Sequence, residues 1–167
     1  MRVQVSDRIV TMWRDELRAA GRREIGGVLV GERLGGDLFR IADASVQHGG
    51  GTSMTFERDP EQHRLFLENF FARTGHDYAR FNYLGEWHSH PSNIALPSGT
   101  DVRSMMEIVC DPEVNAAFAV LLVVRRRLLG QLQVSATEFR CGNAPLPAHF
   151  MPEPPRRRIP FKTIQMR

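Results

Sequence analysis

Apolar residues recur along this chain with two spacings, and each spacing predicts one kind of secondary structure. A repeat of three or four residues predicts three helices, which begin near Ser6 or Asp7, at Asp59-Pro60 and near Ser98. Gly21 and Gly75 follow the first two helices, as residues past a helix end often do. The apolar faces consist of Ile9, Trp13, Leu17 and Ala20 in the first helix, Leu65, Phe66, Leu67, Phe70 and Phe71 in the second, and Val102, Met105, Met106 and Val109 in the third.

Shorter apolar runs predict strands between these helices. The expected strands span residues 24–31, 38–46, 54–57, 83–90, 116–124 and 131–139. The run 116–124 is so continuously apolar that we expect a central strand buried on both faces. This mixture of strands and helices predicts an α/β (α+β) fold in which a mixed sheet packs against helices.

The length and composition predict one soluble globular domain followed by a different kind of tail. The chain has 167 residues, of which 42% are hydrophobic and 25% charged. Six of its ten prolines lie beyond Asn143, where arginines also cluster. We therefore divide the chain into a globular domain, residues 1–142, and a Pro/Arg-rich C-terminal tail, residues 143–167, which we expect to be irregular and to pack against the body at Phe150 and Phe161.

The net charge of +3 is unevenly distributed. Residues 143–167 hold five basic residues and one acid, which gives +4 and leaves −1 for residues 1–142. A nearly neutral body gives no reason to expect nucleic-acid binding. The longest apolar run is nine residues, too short to span a bilayer, and the N-terminus lacks the pattern of a secretory signal.

Cysteine usage predicts a reducing, cytoplasmic location. The chain has two cysteines, Cys110 and Cys141, which form neither a disulfide framework nor a Cys-x-x-Cys pair. We interpret Cys110, at the end of a predicted helix, as a small buried apolar residue rather than a nucleophile.

The segment that begins at His88 carries the clearest chemistry. His88 and His90 lie two positions apart on a predicted strand, so their side chains point to the same face. Pro91 ends the strand, and the loop that follows leads to the helix start at Ser98, which brings Asp101 near the histidines. Two imidazoles and one carboxylate are ligands that Zn²⁺ accepts, and three protein ligands leave the fourth position that a catalytic zinc requires.

Two features of the sequence allow more than one interpretation. Ser98-x-x-Asp101 also matches a helix capping box, which needs no metal, although a capped helix start and a metal ligand are compatible. A hydrolase that activates water also needs a proton acceptor. Glu24, at the start of an apolar strand, and Glu86, on the same face as the histidines, are both candidates, and spacing alone does not distinguish them.

Together these motifs resemble the JAMM (JAB1/MPN+, Mov34/PAD-1-like) zinc metalloprotease family. The likeness comprises Glu24 ahead of the small-residue strand, the Gly85-Glu86-Trp87-His88-Ser89-His90-Pro91 run, and Ser98-x-x-Asp101. It covers residues 8–140 approximately and is similar to the bacterial stand-alone branch found in antiphage operons of the CBASS and Bil types. It implies an MPN/JAB-type, cytidine-deaminase-like domain with a mostly antiparallel sheet between helices.

The resemblance also implies roles for individual residues. His88, His90 and Asp101 would bind one Zn²⁺, Glu24 would be the general acid and base, and Ser98 would stabilise the oxyanion. The expected reaction is hydrolysis of the peptide or isopeptide bond after the C-terminal glycine of a ubiquitin-like protein. The loops 49–51 and 92–96 are candidates to line a channel for its tail, although flexibility alone is the favoured interpretation of Gly49–Gly51. E1- and E2-like enzymes would be further partners.

Two alternatives stay open. The same chemistry could remove C-terminal extensions from sulfur-carrier proteins in cofactor or cysteine biosynthesis. A non-catalytic MPN scaffold could instead hold a partner without cutting it.

Overall fold

A computed structural model describes residues 1–48 and 59–154, which form one curved sheet with helices on its faces. The elements, in chain order, are β1 (Arg2–Val5), α1 (Asp7–Ala20), β2 (Gly26–Gly35), β3 (Leu38–Ala44), α2 (Pro60–Arg73), β4 (Phe81–Ser89), α3 (Gly99–Cys110), β5 (Ala119–Arg126), a short 3₁₀ turn (Leu128–Gly130), β6 (Leu132–Phe139), β7 (Leu146–Pro147) and β8 (His149–Pro152).

The strand order across the sheet is β7-β6-β5-β4-β2-β3-β1-β8. Among the described pairings, four are antiparallel and three, those of β1 with β3, β1 with β8 and β4 with β5, are parallel. This agrees with the predicted mixed, mostly antiparallel sheet. Only Ala148 separates β7 from β8, so the two edges of the sheet approach each other and the sheet curls.

Strand β5 is buried on both faces, as its sequence predicts. Val120, Leu122 and Val124 join the core under α1, where the tilted rings of Trp13 and Trp87 pack with their centroids 5.6 Å apart. The alternate residues Ala119, Leu121 and Val123 join a second core under α3. Every side chain of this strand up to Val124 therefore contributes to one of two apolar layers.

The helices begin and end close to where the sequence predicts. Ser6 caps α1 and Gly21 closes it with a φ of 65°, a conformation that glycine adopts without strain. Asp59 caps α2, whose core face differs from the prediction because Leu65 is exposed whereas His63 is buried. His63 is accepted there because its ring nitrogens lie 3.0 Å from Ser45 Oγ and 3.1 Å from Gln47 Oε1.

The segment after Asn143 is more regular than the sequence indicates. Strand β8 pairs in parallel with β1, and Phe150 packs against Trp13, as expected for this residue. The prolines did not prevent pairing because both short strands lie at the edges of the sheet, where a missing N–H is tolerated. The predicted strand at 54–57, the Gly49–Gly51 loop and Phe161 lie outside the described residues, and the division at residue 142 remains a prediction.

The interpretation of the cysteines is wrong. Cys110, the last residue of α3, is disulfide-bonded to Cys141, just after β6, with the two Cα atoms 4.9 Å apart. Both residues are exposed rather than buried. A separation of 31 residues in the sequence conceals the pairing, which arises because α3 ends beside the end of β6.

Across the described part of the chain, no helix has the length and apolar character that crossing a membrane requires.

Candidate metal centre

The candidate centre lies where β2 begins and β4 ends. The two strands are antiparallel, and Gly26 pairs with His88, so the residues just before β2 lie beside the last residues of β4. Glycines in β2 and β4 let the neighbouring backbone, after β3 and in β5, approach closely. A Cβ on Gly27 would meet the Ser45 carbonyl oxygen at 2.3 Å, and one on Gly85 would meet the Val120 carbonyl oxygen at 1.9 Å.

His88, His90 and Asp101 converge on one point. Their nearest ligand atoms all lie within 4.8 Å of one another. The Nε2 atoms of the two histidines are 3.2 Å apart, and Asp101 carboxylate oxygens lie 3.5 Å from His88 Nε2 and 3.6 Å from His90 Nε2. The alternate residues Trp87 and Ser89 point to the opposite face, where Trp87 belongs to the core under α1.

The chemistry of these donors fits a zinc ion. His90 Nδ1 lies 3.0 Å from the carbonyl oxygen of Ile94. When Nδ1–H donates to this carbonyl, the lone pair of Nε2 is left to bind a metal, which is the usual arrangement around ligating histidines. Both histidines are buried, so the protein holds their rings in place.

Asp101 has two roles in the structure. Its side chain accepts a hydrogen bond from Ser98 N–H at 2.6 Å, while Ser98 Oγ accepts one from Asp101 N–H at 3.2 Å. The capping box that the sequence predicts is therefore present. Because the box fixes the carboxylate at the start of α3, the two interpretations of Ser98-x-x-Asp101 are compatible.

Glu24 approaches the cluster from the β2 side. It is 5% exposed, and the following residue, Ile25, is clamped to β4 by two hydrogen bonds. Ile25 N–H donates to Ser89 Oγ at 3.0 Å, and Ser89 N–H donates to the Ile25 carbonyl at 2.8 Å. Ser89, which separates the two histidines in sequence, thus positions the backbone next to Glu24.

The electrostatics of the site differ for its two carboxylates. Burial raises the pKa of Glu24, although the charges of His90 and His88 offset part of the rise. Burial would also raise the pKa of Asp101, but hydrogen bonding to His88 and His90 holds that pKa far below its ordinary value. In return, the hydrogen bond to Asp101 raises the pKa of His90. Glu24 is thus suited to exchange a proton, whereas Asp101 stays ionised.

Glu86 and two loops were also predicted to contribute to the site. Glu86 is half-buried and lies two residues before His88, and the metal-ligand cluster found among the described residues does not include it. In the loop 92–96, Ile94 is exposed and Ala95 is buried, so the loop is anchored at one residue and presents an apolar side chain beside the site. The loop 49–51 lies outside the described residues.

Two contributions to the site were not predicted. The Ile94 carbonyl left no signal in the sequence, because every residue has a carbonyl and only the fold selects one. Ser89 did leave a signal, since it alternates with the two histidines and must face the neighbouring layer. A buried hydroxyl at such a position needs a hydrogen-bond partner, and the start of β2 supplies it.

Comparisons with known proteins agree with this geometry. The family described as prokaryotic homologs of the JAB domain matches residues 6–141. A protein of Enterobacter hormaechei subsp. hoffmannii named CD-NTase/cGAS isopeptidase is 27% identical over 147 residues, which cover 86% of this chain and 78% of that protein. A Vibrio cholerae protein of the same name is 34% identical over 106 residues, which cover 62% of this chain and 63% of that protein.

The fold is also found among solved structures. The solution structure of protein DSY2949 from Desulfitobacterium hafniense superposes with a TM-score of 0.66 at 17% identity and covers 90% of this chain and 92% of that one. At this identity the likeness concerns the fold alone. The family match, in contrast, spans both halves of the candidate centre, from the helix before Glu24 to the end of β6. The chain therefore belongs to the family of prokaryotic homologs of the JAB domain.

Proposed function

We propose that this protein is a zinc-dependent hydrolase that cleaves the peptide or isopeptide bond after the C-terminal glycine of a ubiquitin-like protein, in bacterial antiphage defence. The observation that carries the proposal is the convergence of His88, His90 and Asp101 beside the buried carboxylate of Glu24. The names of the relatives support isopeptide bonds as the substrate class and link the activity to CD-NTase/cGAS proteins.

In the proposed site, His88, His90 and Asp101 hold the metal. When bound, a zinc ion supplies Lewis-acid polarisation of the scissile carbonyl and lowers the pKa of water. Burial and the capping box keep the three ligands in one arrangement, so little reorganisation accompanies each turnover.

Glu24 moves the proton in this mechanism. Its carboxylate accepts a proton from the attacking water and delivers it to the lysine amine as the carbon–nitrogen bond breaks. A carboxyl group with a raised pKa accepts and releases a proton more readily near neutral pH than an ordinary glutamate does.

In this proposal Ser98 stabilises the negative charge that develops on the carbonyl oxygen. Its Oγ already accepts a hydrogen bond from Asp101 N–H, so its hydroxyl hydrogen remains to be donated to the developing oxyanion. The exposed Ile94 and Leu96 give the extended tail of the substrate an apolar surface at the entrance.

The proposal is tested with fusions in which several bacterial ubiquitin-like proteins ending in glycine precede a reporter. The intact mass of the products should show one cut after that glycine, which stops on chelation and resumes when zinc is added. Metal analysis of the purified protein should give one zinc per chain. A zinc-loaded protein that cuts no fusion and no isopeptide conjugate of the panel would overturn the proposal.

A further inference from the structure

The turn between β5 and β6 leaves the sheet beside the candidate centre. Strand β5 runs parallel to β4, with Ser89 paired to Val124, and His90 N–H donates to the Val124 carbonyl at 3.0 Å. The residues that follow Val124 therefore extend past the edge of the sheet next to a proposed metal ligand. Residues 126–129, Arg-Arg-Leu-Leu, are called the arginine–leucine tip below.

The two leucines of the tip are almost completely exposed. Leu128 is 91% and Leu129 is 98% exposed, more than any other large hydrophobic residue among those described. Leu129 also has a φ of 65°, in the left-handed region, which costs a residue with a Cβ about 1–2 kcal/mol. The exposed leucines bury little apolar surface and so add little to the stability of this chain alone, and strained residues are often found at binding sites.

Hydrogen bonds nevertheless hold the tip in one conformation. Arg127 N–H donates to the Gln131 carbonyl at 2.7 Å, and Gly130 N–H donates to the Arg127 carbonyl at 3.2 Å. The side chain of Arg14, on α1, donates from Nε to the Gly130 carbonyl at 3.1 Å. A surface that is ordered before binding loses less conformational entropy when a partner docks.

The charges of the tip are not balanced by ion pairs, which hold only seven of the sixteen arginines among the described residues. Ion pairs hold Arg2, Arg8, Arg40, Arg64, Arg73, Arg80 and Arg140. Arg126 and Arg127 are exposed, and no carboxylate of residues 1–48 or 59–154 forms an ion pair with either. Arg22 and Arg23, just before Glu24, are exposed and unpaired within the same ranges. Four exposed arginines without an ion pair among the described residues therefore lie near the site end of the sheet, at positions 22, 23, 126 and 127.

We propose that the arginine–leucine tip docks the protein whose lysine carries the ubiquitin-like modifier, through acidic residues that surround an exposed apolar side chain. The inference rests on the proposed function. Unpaired arginines attract an acidic surface, and two exposed leucines require an apolar contact at its centre. The modifier is the same in every conjugate, so a contact that selects among conjugates must be made with the modified protein.

The test uses isopeptide conjugates of the modifier that is cleaved in the fusion panel. The modifier is joined through lysine to two 20-residue peptides, one rich in Asp, Glu and Leu and one in which serine replaces every acid. We expect wild-type protein to cleave the acidic conjugate with about tenfold higher kcat/KM, mainly through KM, and this preference should shrink at high salt. The double variants Arg126→Glu/Arg127→Glu and Leu128→Ser/Leu129→Gly should lose the preference and cleave the serine conjugate as wild type does.

The opposite end of the sheet offers a matched control. Arg33 and Leu34, near the end of β2, also form an exposed arginine–leucine pair, so Arg33→Glu/Leu34→Ser should leave the preference unchanged.

Equal rates on both conjugates in wild type, or the same loss in the control variant, would overturn the inference while the proposed function stands. Binding to phosphatidylserine vesicles that the tip variants abolish, without a preference for the acidic conjugate, would identify a membrane contact and overturn it too. If the panel itself is not cleaved, the proposed function fails and the inference fails with it.

Discussion

Strand β2 has a buried carboxylate near each end, and the two have opposite environments. Glu32, at the far end, is held by Arg80 at 2.6 Å and by Arg40, and Arg40 in turn binds Glu153 at 2.8 Å. Glu24, at the site end, forms no ion pair with an arginine or lysine of the described residues, and only histidine charges oppose the effect of burial on its pKa. The two residues have almost the same exposure, 3% for Glu32 and 5% for Glu24.

The partners of these carboxylates therefore decide what burial does to them. Burial would raise the pKa of Glu32, but hydrogen bonds from Arg80 and Arg40 bring that pKa below its ordinary value. Burial raises the pKa of Glu24 because the opposing charges are weaker. One carboxylate is fixed in its charged state and joins elements of the fold, and the other keeps access to both protonation states.

Replacing each glutamate by glutamine tests directly whether the two carboxylates have different functions. Glu24→Gln should reduce cleavage about 10³-fold because the amide cannot accept the proton, while zinc content and melting temperature stay at wild-type values. Glu32→Gln should leave the rate constant for cleavage within about twofold at a temperature where the variant is folded. The rates come from intact-mass assays and the zinc content from metal analysis.

Retained cleavage by Glu24→Gln would move the proton acceptor to Glu86, the other candidate of the sequence. A large loss of cleavage in folded Glu32→Gln would show that the two ends of β2 are not independent.

The two ends of α3 also differ. The disulfide lies at the far end of this helix, whereas Asp101 lies at the site end. Cys110→Ser/Cys141→Ser should lower the free energy of unfolding by about 3–4 kcal/mol, the loop entropy expected for 31 residues. Cleavage by the folded variant should remain, since the capping box independently fixes Asp101. Urea unfolding with and without reductant measures the first effect, and assays well below the melting temperature measure the second.

Unchanged unfolding of wild type in reductant would mean that the bond does not stabilise the fold. Loss of zinc from the folded variant would mean that the disulfide also positions the site.

Ser98 caps the site end of α3, and its hydroxyl is proposed to serve both folding and catalysis. Ser98→Ala should destabilise α3 by about 1 kcal/mol through loss of the cap and should reduce kcat about 100-fold through loss of the oxyanion contact. Ser98→Thr keeps both the cap and the hydroxyl and is the matched control. Equal kcat for the alanine and threonine variants would leave Ser98 with the capping role alone.

The same contrast explains what the sequence could and could not predict. The convergence of His88, His90 and Asp101 was predictable because a strand and a capped helix place residues at fixed spacings. Buried strand β5 was predictable from its unbroken apolar run. The disulfide and the pairing of β8 with β1 were not, because each joins residues brought together only by the complete sheet. Glu32 and Glu24 look alike in sequence, and their difference comes from Arg40 and Arg80, which lie on other elements.

The smallest expected effect is the pH dependence of the stability that the ion pairs of Glu32 contribute. The pKa of Glu32 in the folded protein is below its ordinary value of 4.5. A lowered pKa means that the ion pairs contribute stability fully above about pH 4.5 and lose this contribution as the pH falls through the folded pKa. At pH 7, Glu32→Gln should therefore lower the free energy of unfolding by about 2 kcal/mol, because Arg40 and Arg80 lose a charged hydrogen-bond acceptor. The gap should narrow as the pH falls below 4.5. Urea unfolding of both proteins across this range measures the gap, and a constant gap would mean that shape and packing, rather than the charge of Glu32, hold this end of the sheet together.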